Sequence, residues 1–165
     1  MANNTHLSLV ESVAEALLQH GWMLSTAESC TGGLIAGACT EVSGSSNWFE
    51  RGFVTYSNES KSELLGVPLP LIAQHGAVSQ AVAQAMAAGA LERSHAQVAI
   101  AVTGVAGPSG GSADKPVGTV WLAWATATAV VTERQHFGGD RSAVRQATVN
   151  HALAKLIMLV RQAAH

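Results

Sequence analysis

A serine stands in the stretch Glu28-Ser29-Cys30-Thr31-Gly32-Gly33, after a short apolar run (22–27) and before an apolar helical segment (34–42). A hydroxyl at a strand-to-helix turn sits against unpaired backbone N–H groups. Those groups favour an oxyanion, a phosphate or a serine that is losing its proton. Gly32 and Gly33 let a ligand approach the backbone closely. The same turn also suits a plain helix cap supplied by Ser29 or Thr31. Its spacing is not Gly-x-Ser-x-Gly, so a nucleophile elbow is not indicated. Cys30 is a second, weaker candidate nucleophile beside Ser29.

A serine nucleophile needs a base. Of the seven histidines, His6 and His165 lie near the chain ends, and His20, His75 and His95 lie near helix ends. His136 and His151 remain open as bases, but neither has an evident carboxylate to orient it. No histidine pair has metal-ligand spacing. Lysine is scarcer, with only Lys61, Lys115 and Lys155. Lys155 reads as solvated and Lys115 falls in a long loop. Lys61 follows Tyr56-Ser57-Asn58-Glu59-Ser60 just past a strand end. A lysine desolvated in a pocket loses basicity and can act as a base. The only tyrosine, Tyr56, stands nearby to orient or relay a proton. The competing reading is an exposed Lys61 paired with Glu59 or Glu63.

Two further stretches could hold a ligand. Thr103-Gly104-Val105-Ala106-Gly107-Pro108, with Gly110 and Gly111, follows an apolar strand, where ligand loops gather in α/β sheets. It is neither a dinucleotide nor a triphosphate fingerprint, and a bare turn fits it as well. Arg141 and Arg145, four apart after Gly138-Gly139-Asp140, share one face at a helix start. There two guanidiniums suit a phosphate or carboxylate. A surface pairing with Asp140 is the alternative.

The elements that must position these residues can be read from periodicity and caps. Leu9, Val10, Val13, Ala14, Leu17 and Leu18 form a helical stripe ending at Gly21, with Ser8 and Glu11 at capping-box spacing. Strands are expected over 22–27, 49–56, 98–102, 119–127 and 130–137. In the fourth, Val120, Leu122 and Trp124 face one way, and Trp121, Ala123 and Ala125 the other. Helices are expected over 34–42, over 58–65 capped by Ser57, over 80–93 capped by Ser79, and from Asp140 to about residue 161. Pro68 and Pro70 make the stretch before Ser79 read as loop. The order implies an α/β fold with a mixed sheet, helices on both faces and the last strands antiparallel.

The 165 residues suit one domain, 1–165. Only 12% are charged, against about 25% in a typical domain, while 48% are hydrophobic. That excludes disorder. A net charge of −2 excludes a strongly basic nucleic-acid binder. No stretch reads as about twenty apolar helical residues, so no membrane span is expected. With no leader sequence and two oddly placed cysteines, Cys30 and Cys39, a reducing cytoplasm is the expected compartment. The charge-poor surface leads us to expect self-association into a homo-oligomer.

Ala27-Glu28-Ser29-Cys30-Thr31-Gly32-Gly33 is followed by Gly44-Ser45-Ser46, Trp48-Phe49, Gly52-Phe53-Val54-Thr55-Tyr56-Ser57-Asn58 and Lys61. Next come His75-Gly76-Ala77-Val78-Ser79, the Thr103 stretch, Lys115-Pro116-Val117-Gly118-Thr119-Val120 and Gly139-Asp140-Arg141. In these motifs and their order the chain resembles the CinA C-terminal domain family, whose enzymatic members are nicotinamide-nucleotide amidases. The resemblance implies a three-layer α/β/α fold. It also implies hydrolysis of nicotinamide mononucleotide to nicotinic acid mononucleotide and ammonia, a salvage step in NAD metabolism, without metal or cofactor. It makes Ser29 the nucleophile, Lys61 its base and Tyr56 the assisting hydroxyl. It places Thr31, Gly32, Gly33, Ser46, Thr103, Gly104 and Gly107 around the substrate, with Arg141 or Arg145 on the phosphate. A non-catalytic nucleotide-binding or regulatory module of the same family is the alternative, and a Ser/Lys hydrolase of another amide is a further one.

Overall fold

A computed structural model describes the backbone of residues 2–163 and the side chains from Thr5 onward; His165 lies outside the described residues. Five strands form one sheet in the order β2-β1-β3-β4-β5. β1 (Leu24–Glu28) lies parallel to both β2 (Phe49–Val54) and β3 (Val98–Gly104). β4 (Thr119–Thr126) and β5 (Val130–His136) continue it antiparallel, as a hairpin. β3 is buried along nearly its whole length, as its unbroken apolar run implies for a strand covered on both faces.

The helices divide between the two faces. α1 (Ala2–His20), α2 (Leu34–Thr40) and α6 (Arg141–Gln162) share one apolar core with Leu24, Ile100, Leu122 and Trp124. α3 (Asn58–Leu65), α4 (Leu69–His75) and α5 (Gln80–Glu92) pack on the other face. This is the three-layer mixed α/β arrangement that the sequence implied. β4 alternates as read: Val120, Leu122 and Trp124 enter the first core, while Ala123 and Ala125 enter the second with Trp121 against it.

The second face is built from small residues. Ala83, Ala87 and Ala90 of α5 lie in one cluster with Ala27, Ala99, Ala101, Ala123 and Ala125 of the sheet. Alanine against alanine brings the helix backbone close to the strands. Gly89 takes this furthest, since a Cβ there would run into the Leu65 carbonyl at the end of α3. The Ala-rich helix therefore fixes the height of α3, the helix that carries Lys61.

Two local expectations are corrected. α1 begins well before Ser8, so Ser8 is inside the helix and its carbonyl accepts from the Ser12 hydroxyl; it does not cap. α4 occupies a stretch read as loop. Pro68 is its N-cap and Pro70 lies in its first turn, where a missing N–H costs nothing. The caps at Ser57, Ser79 and Asp140 are as expected, each side chain accepting from the amide three residues on. Among the described residues, no helix is long and apolar enough to cross a membrane.

Candidate active site

Ser29 follows β1 directly and Thr55 follows β2. Thr103 and Gly104 end β3, and α6 begins after β5. These four chain ends meet at one edge of the sheet. β1 lies where the chain switches faces: α2 leads from β1 to β2 on one side, and α3 to α5 lead from β2 to β3 on the other. Ligand sites of α/β sheets form at such a switch.

Lys61 reaches this edge from α3. It is buried, 1% exposed. Its Nζ lies 2.9 Å from Ser29 Oγ, 2.9 Å from the Thr55 carbonyl and 3.1 Å from the Tyr56 carbonyl. Burial pulls the Lys61 amine below its ordinary pKa, against a smaller electrostatic pull upward from Cys30. A neutral amine has two N–H donors and one lone pair. As an ammonium, Lys61 donates to Ser29 Oγ and to both carbonyls; once neutral, its two N–H stay on the carbonyls and the lone pair is left for the Ser29 hydroxyl. The arrangement suits proton removal from Ser29. The surface pairing with Glu59 or Glu63 is not what the structure shows.

The turn after Ser29 is held from several sides. The Ser29 N–H donates to the Val102 carbonyl, and Gly32 N–H closes the turn on the Ser29 carbonyl. Gly32 and Gly33 have φ of 57° and 107°, which a side chain would strain. Glu28, 1% exposed, accepts from the Thr31 hydroxyl at 2.6 Å and from the Ile35 and Ala36 amides at 2.8 and 3.1 Å. A buried carboxylate thus caps α2 from inside the sheet, a role for which the sequence reading had no assignment. Thr31 is also buried, its hydroxyl committed to Glu28 rather than to the site opening.

Arg145 donates from Nε to the Cys30 carbonyl at 3.1 Å and from Nη2 to the Thr31 carbonyl at 3.3 Å. Arg141 is exposed at the rim. It donates to the Gly107 carbonyl at 2.9 Å and to the Tyr56 hydroxyl at 3.0 Å. Tyr56 is 61% exposed, so its phenol borders the opening while its carbonyl meets Lys61. Thr103 is buried and donates to the Ala77 carbonyl at 2.9 Å. Gly104 lies against Cys30, Val120 and the Thr119 carbonyl, and Gly107 against Val117.

Ser46 is not brought to this edge. It lies in a single 3-10 turn (Ser45–Asn47) before β2, at the other end of the sheet. The five residues of β1 separate the two edges, roughly 16 Å of strand. Cys30 turns into the first core, 6% exposed, and burial pushes its thiol up to about 11, which disfavours it as a nucleophile. His151 does have a carboxylate: its Nε2 lies 2.7 Å from Glu133, which also pairs with Lys155 at 3.1 Å. That cluster is on β5 and α6, three strands across the sheet from β1. His136 meets the Val117 carbonyl. Lys115 donates to the His75 carbonyl at 2.8 Å, tying the long loop to the end of α4. An apolar groove of about 760 Å³, walled by Trp22, Trp124, Val131 and Leu159, opens at the opposite edge. None of its lining residues is ionisable.

Residues 6–160 match the profile of the CinA C-terminal domain. The chain belongs to the CinA C-terminal domain family. Its relatives include the nicotinamide-nucleotide amidohydrolase PncC of Escherichia coli (strain K12), 51% identical over 157 residues, with 94% of this chain and 95% of that protein covered. The protein of the same name from Pseudomonas putida is 55% identical over 152 residues, covering 92% and 95%. Among solved structures, the competence/damage inducible protein CihA from Agrobacterium tumefaciens is similar with a TM-score of 0.91 and 48% identity, over 95% and 96% of the two chains. These matches agree with the resemblance drawn from the motifs and with the α/β fold.

Proposed function

We propose that this protein hydrolyses the carboxamide of nicotinamide mononucleotide, releasing ammonia and nicotinic acid mononucleotide. The observation that carries the reading is the buried Lys61 amine on the Ser29 hydroxyl. Relatives named nicotinamide-nucleotide amidohydrolase, about half identical over nearly the whole chain, supply the substrate.

In this reading Lys61 takes the Ser29 proton as Oγ attacks the carboxamide carbon. Backbone N–H groups of the turn meet the oxyanion. The Lys61 ammonium returns the proton to the leaving nitrogen, and ammonia departs. Water, deprotonated by Lys61, then hydrolyses the acyl-serine and frees the carboxylate. The exposed Arg141 is the phosphate contact, and Tyr56, held by Arg141, lines the entrance. Gly33, Gly104 and Gly107 keep the walls close. The whole chain acts as one catalytic domain in the cytoplasm, in NAD salvage. Its exposed edge strand β2 and low surface charge support a homo-oligomer, which light scattering tests.

The deciding experiment mixes purified protein with nicotinamide mononucleotide and measures ammonia and the acid nucleotide. Wild type releases both in equal amounts, and Ser29→Ala loses at least about 10³-fold in turnover while keeping its circular dichroism. Wild-type protein that releases no ammonia refutes the reading and favours a non-catalytic nucleotide-binding module.

A further inference from the structure

The spacing of Arg141 and Arg145 suits two guanidiniums on a phosphate or carboxylate, and the family resemblance implies one or the other on the phosphate; the structure separates the two. Arg141 faces the opening, whereas Arg145 is half-buried and spends its guanidinium on the carbonyls of Cys30 and Thr31. Its Nη2 also lies where a Cβ on Gly32 would be 3.6 Å away. We infer that Arg145 is a positioning residue that aims the Thr31 backbone N–H at the reacting oxygen, while the Gly32 N–H stays on the Ser29 carbonyl. The inference rests on Ser29 being the nucleophile.

In a trans peptide the C=O and the following N–H point in opposite directions. The only cis bond among the described residues is Gly107-Pro108. Arg145 comes from α6, in the layer of α1 and α2. Lys61 comes from α3, on the other face. A Cys30 carbonyl drawn toward α6 therefore turns the Thr31 N–H toward the Lys61 side, where Ser29 Oγ lies. A cation on those carbonyls also polarises the peptide units and strengthens the opposite N–H as a donor. Glu28 holds the same turn from within through the Thr31 hydroxyl. The turn is thus fixed between a carboxylate and a guanidinium, and neither need touch the substrate.

The test is the rate at which a fluorophosphonate labels Ser29, read by intact mass. Ammonia release is measured alongside, from the nucleotide amide and from the same amide without phosphate. Labelling forms an Oγ–P bond, breaks P–F and passes the serine proton to Lys61, with fluoride leaving. Arg145→Ala and Arg145→Gln are expected to label about 10²-fold more slowly than wild type, as for loss of an oxyanion donor. Their kcat falls by a similar factor on both amides with KM little changed, and Arg145→Lys recovers part of the rate. Labelling within about threefold of wild type, in either variant with an intact near-ultraviolet circular dichroism spectrum, overturns the inference. So does a defect confined to KM for the phosphate-bearing amide, which would make Arg145 a phosphate contact. A wild-type protein that labels but releases no ammonia removes only the amidase reading, since the labelling rates still decide the role of Arg145. A wild-type Ser29 that takes no probe overturns the inference itself.

Discussion

Lys61 Nζ lies 2.9 Å from Ser29 Oγ although the residues are 32 positions apart. The link between them runs through Glu28. The Glu28 carbonyl accepts from the Thr55 N–H at 2.9 Å, and the Thr55 carbonyl accepts from Lys61. The Glu28 side chain holds the turn that begins with Ser29. One residue therefore fixes the heights of both partners.

The lowered Lys61 pKa gives a pH signature in stability. The folded chain releases this proton at a lower pH than the unfolded chain, so between the two pKa values the unfolded state binds more protons and stability rises with pH. Below the folded value the full penalty for charging Lys61 is present. Lys61→Met lacks this slope. Thermal melts from about pH 6 to 10 should show wild type gaining on the variant as pH rises toward the ordinary lysine pKa of about 10.4. Parallel curves would contradict a depressed lysine.

Activity carries the same sign. If neutral Lys61 is the base, kcat/KM rises with pH through the folded pKa of the free enzyme, at a midpoint below that of an exposed lysine. A midpoint at or above the exposed-lysine value would remove Lys61 from the role.

Cys30 should be inert. With its thiol near 11, only on the order of one molecule in ten thousand carries a thiolate at neutral pH. Iodoacetamide is expected to leave ammonia release unchanged over hours, and Cys30→Ala to keep most of its turnover. Loss of activity in step with Cys30 modification would reopen the thiol as nucleophile.

Glu28→Ala strips acceptors from the buried Ile35 amide, the part-buried Ala36 amide and the buried Thr31 hydroxyl. At about 1–3 kcal/mol for each of the two buried groups left unpaired, it should lower the unfolding free energy by roughly 2–6 kcal/mol in urea titration. Glu28→Gln keeps one acceptor oxygen and should cost about half as much. Equal stability of Glu28→Ala and wild type would mean that α2 does not depend on this cap.

Gly89→Ala places a methyl group against the Leu65 carbonyl. Backbone cannot swing aside as a side chain can, so α3 and α5 must part. The expected cost is about 1–3 kcal/mol, with a fall in kcat because α3 carries Lys61. A variant with native melting temperature and turnover would show that the contact has slack.

What the sequence made legible was local or patterned. Ser57, Ser79 and Asp140 each cap through an amide three residues away, so their roles need no tertiary knowledge. The alternation of β4 assigned its two faces correctly because side-chain direction in a strand has period two. Ser29 and Lys61 were brought to notice by their types and the family motifs. Ser46 was misplaced because nothing local shows at which end of β2 a preceding turn will lie; parallel pairing with β1 decides that. Glu28 gave no signal because its role depends on α2 lying over the end of β1. α4 was hidden by Pro68 and Pro70, which mark a loop and a helix start equally well.

The two faces of the sheet should fail in different ways. On the face with Ile100, Leu122, Trp124 and Leu153, shortening a side chain leaves a void. On the other face Met86, Val82 and Leu65 can still be shortened, but where alanine of α5 meets alanine of the sheet there is nothing to shorten, and lengthening is what harms. Survey of all single substitutions would therefore show intolerance of addition concentrated at the alanine contacts of the second face. Those contacts set the height of α3, which carries Lys61, so a single added carbon there would silence the protein from within, without altering any residue at the opening.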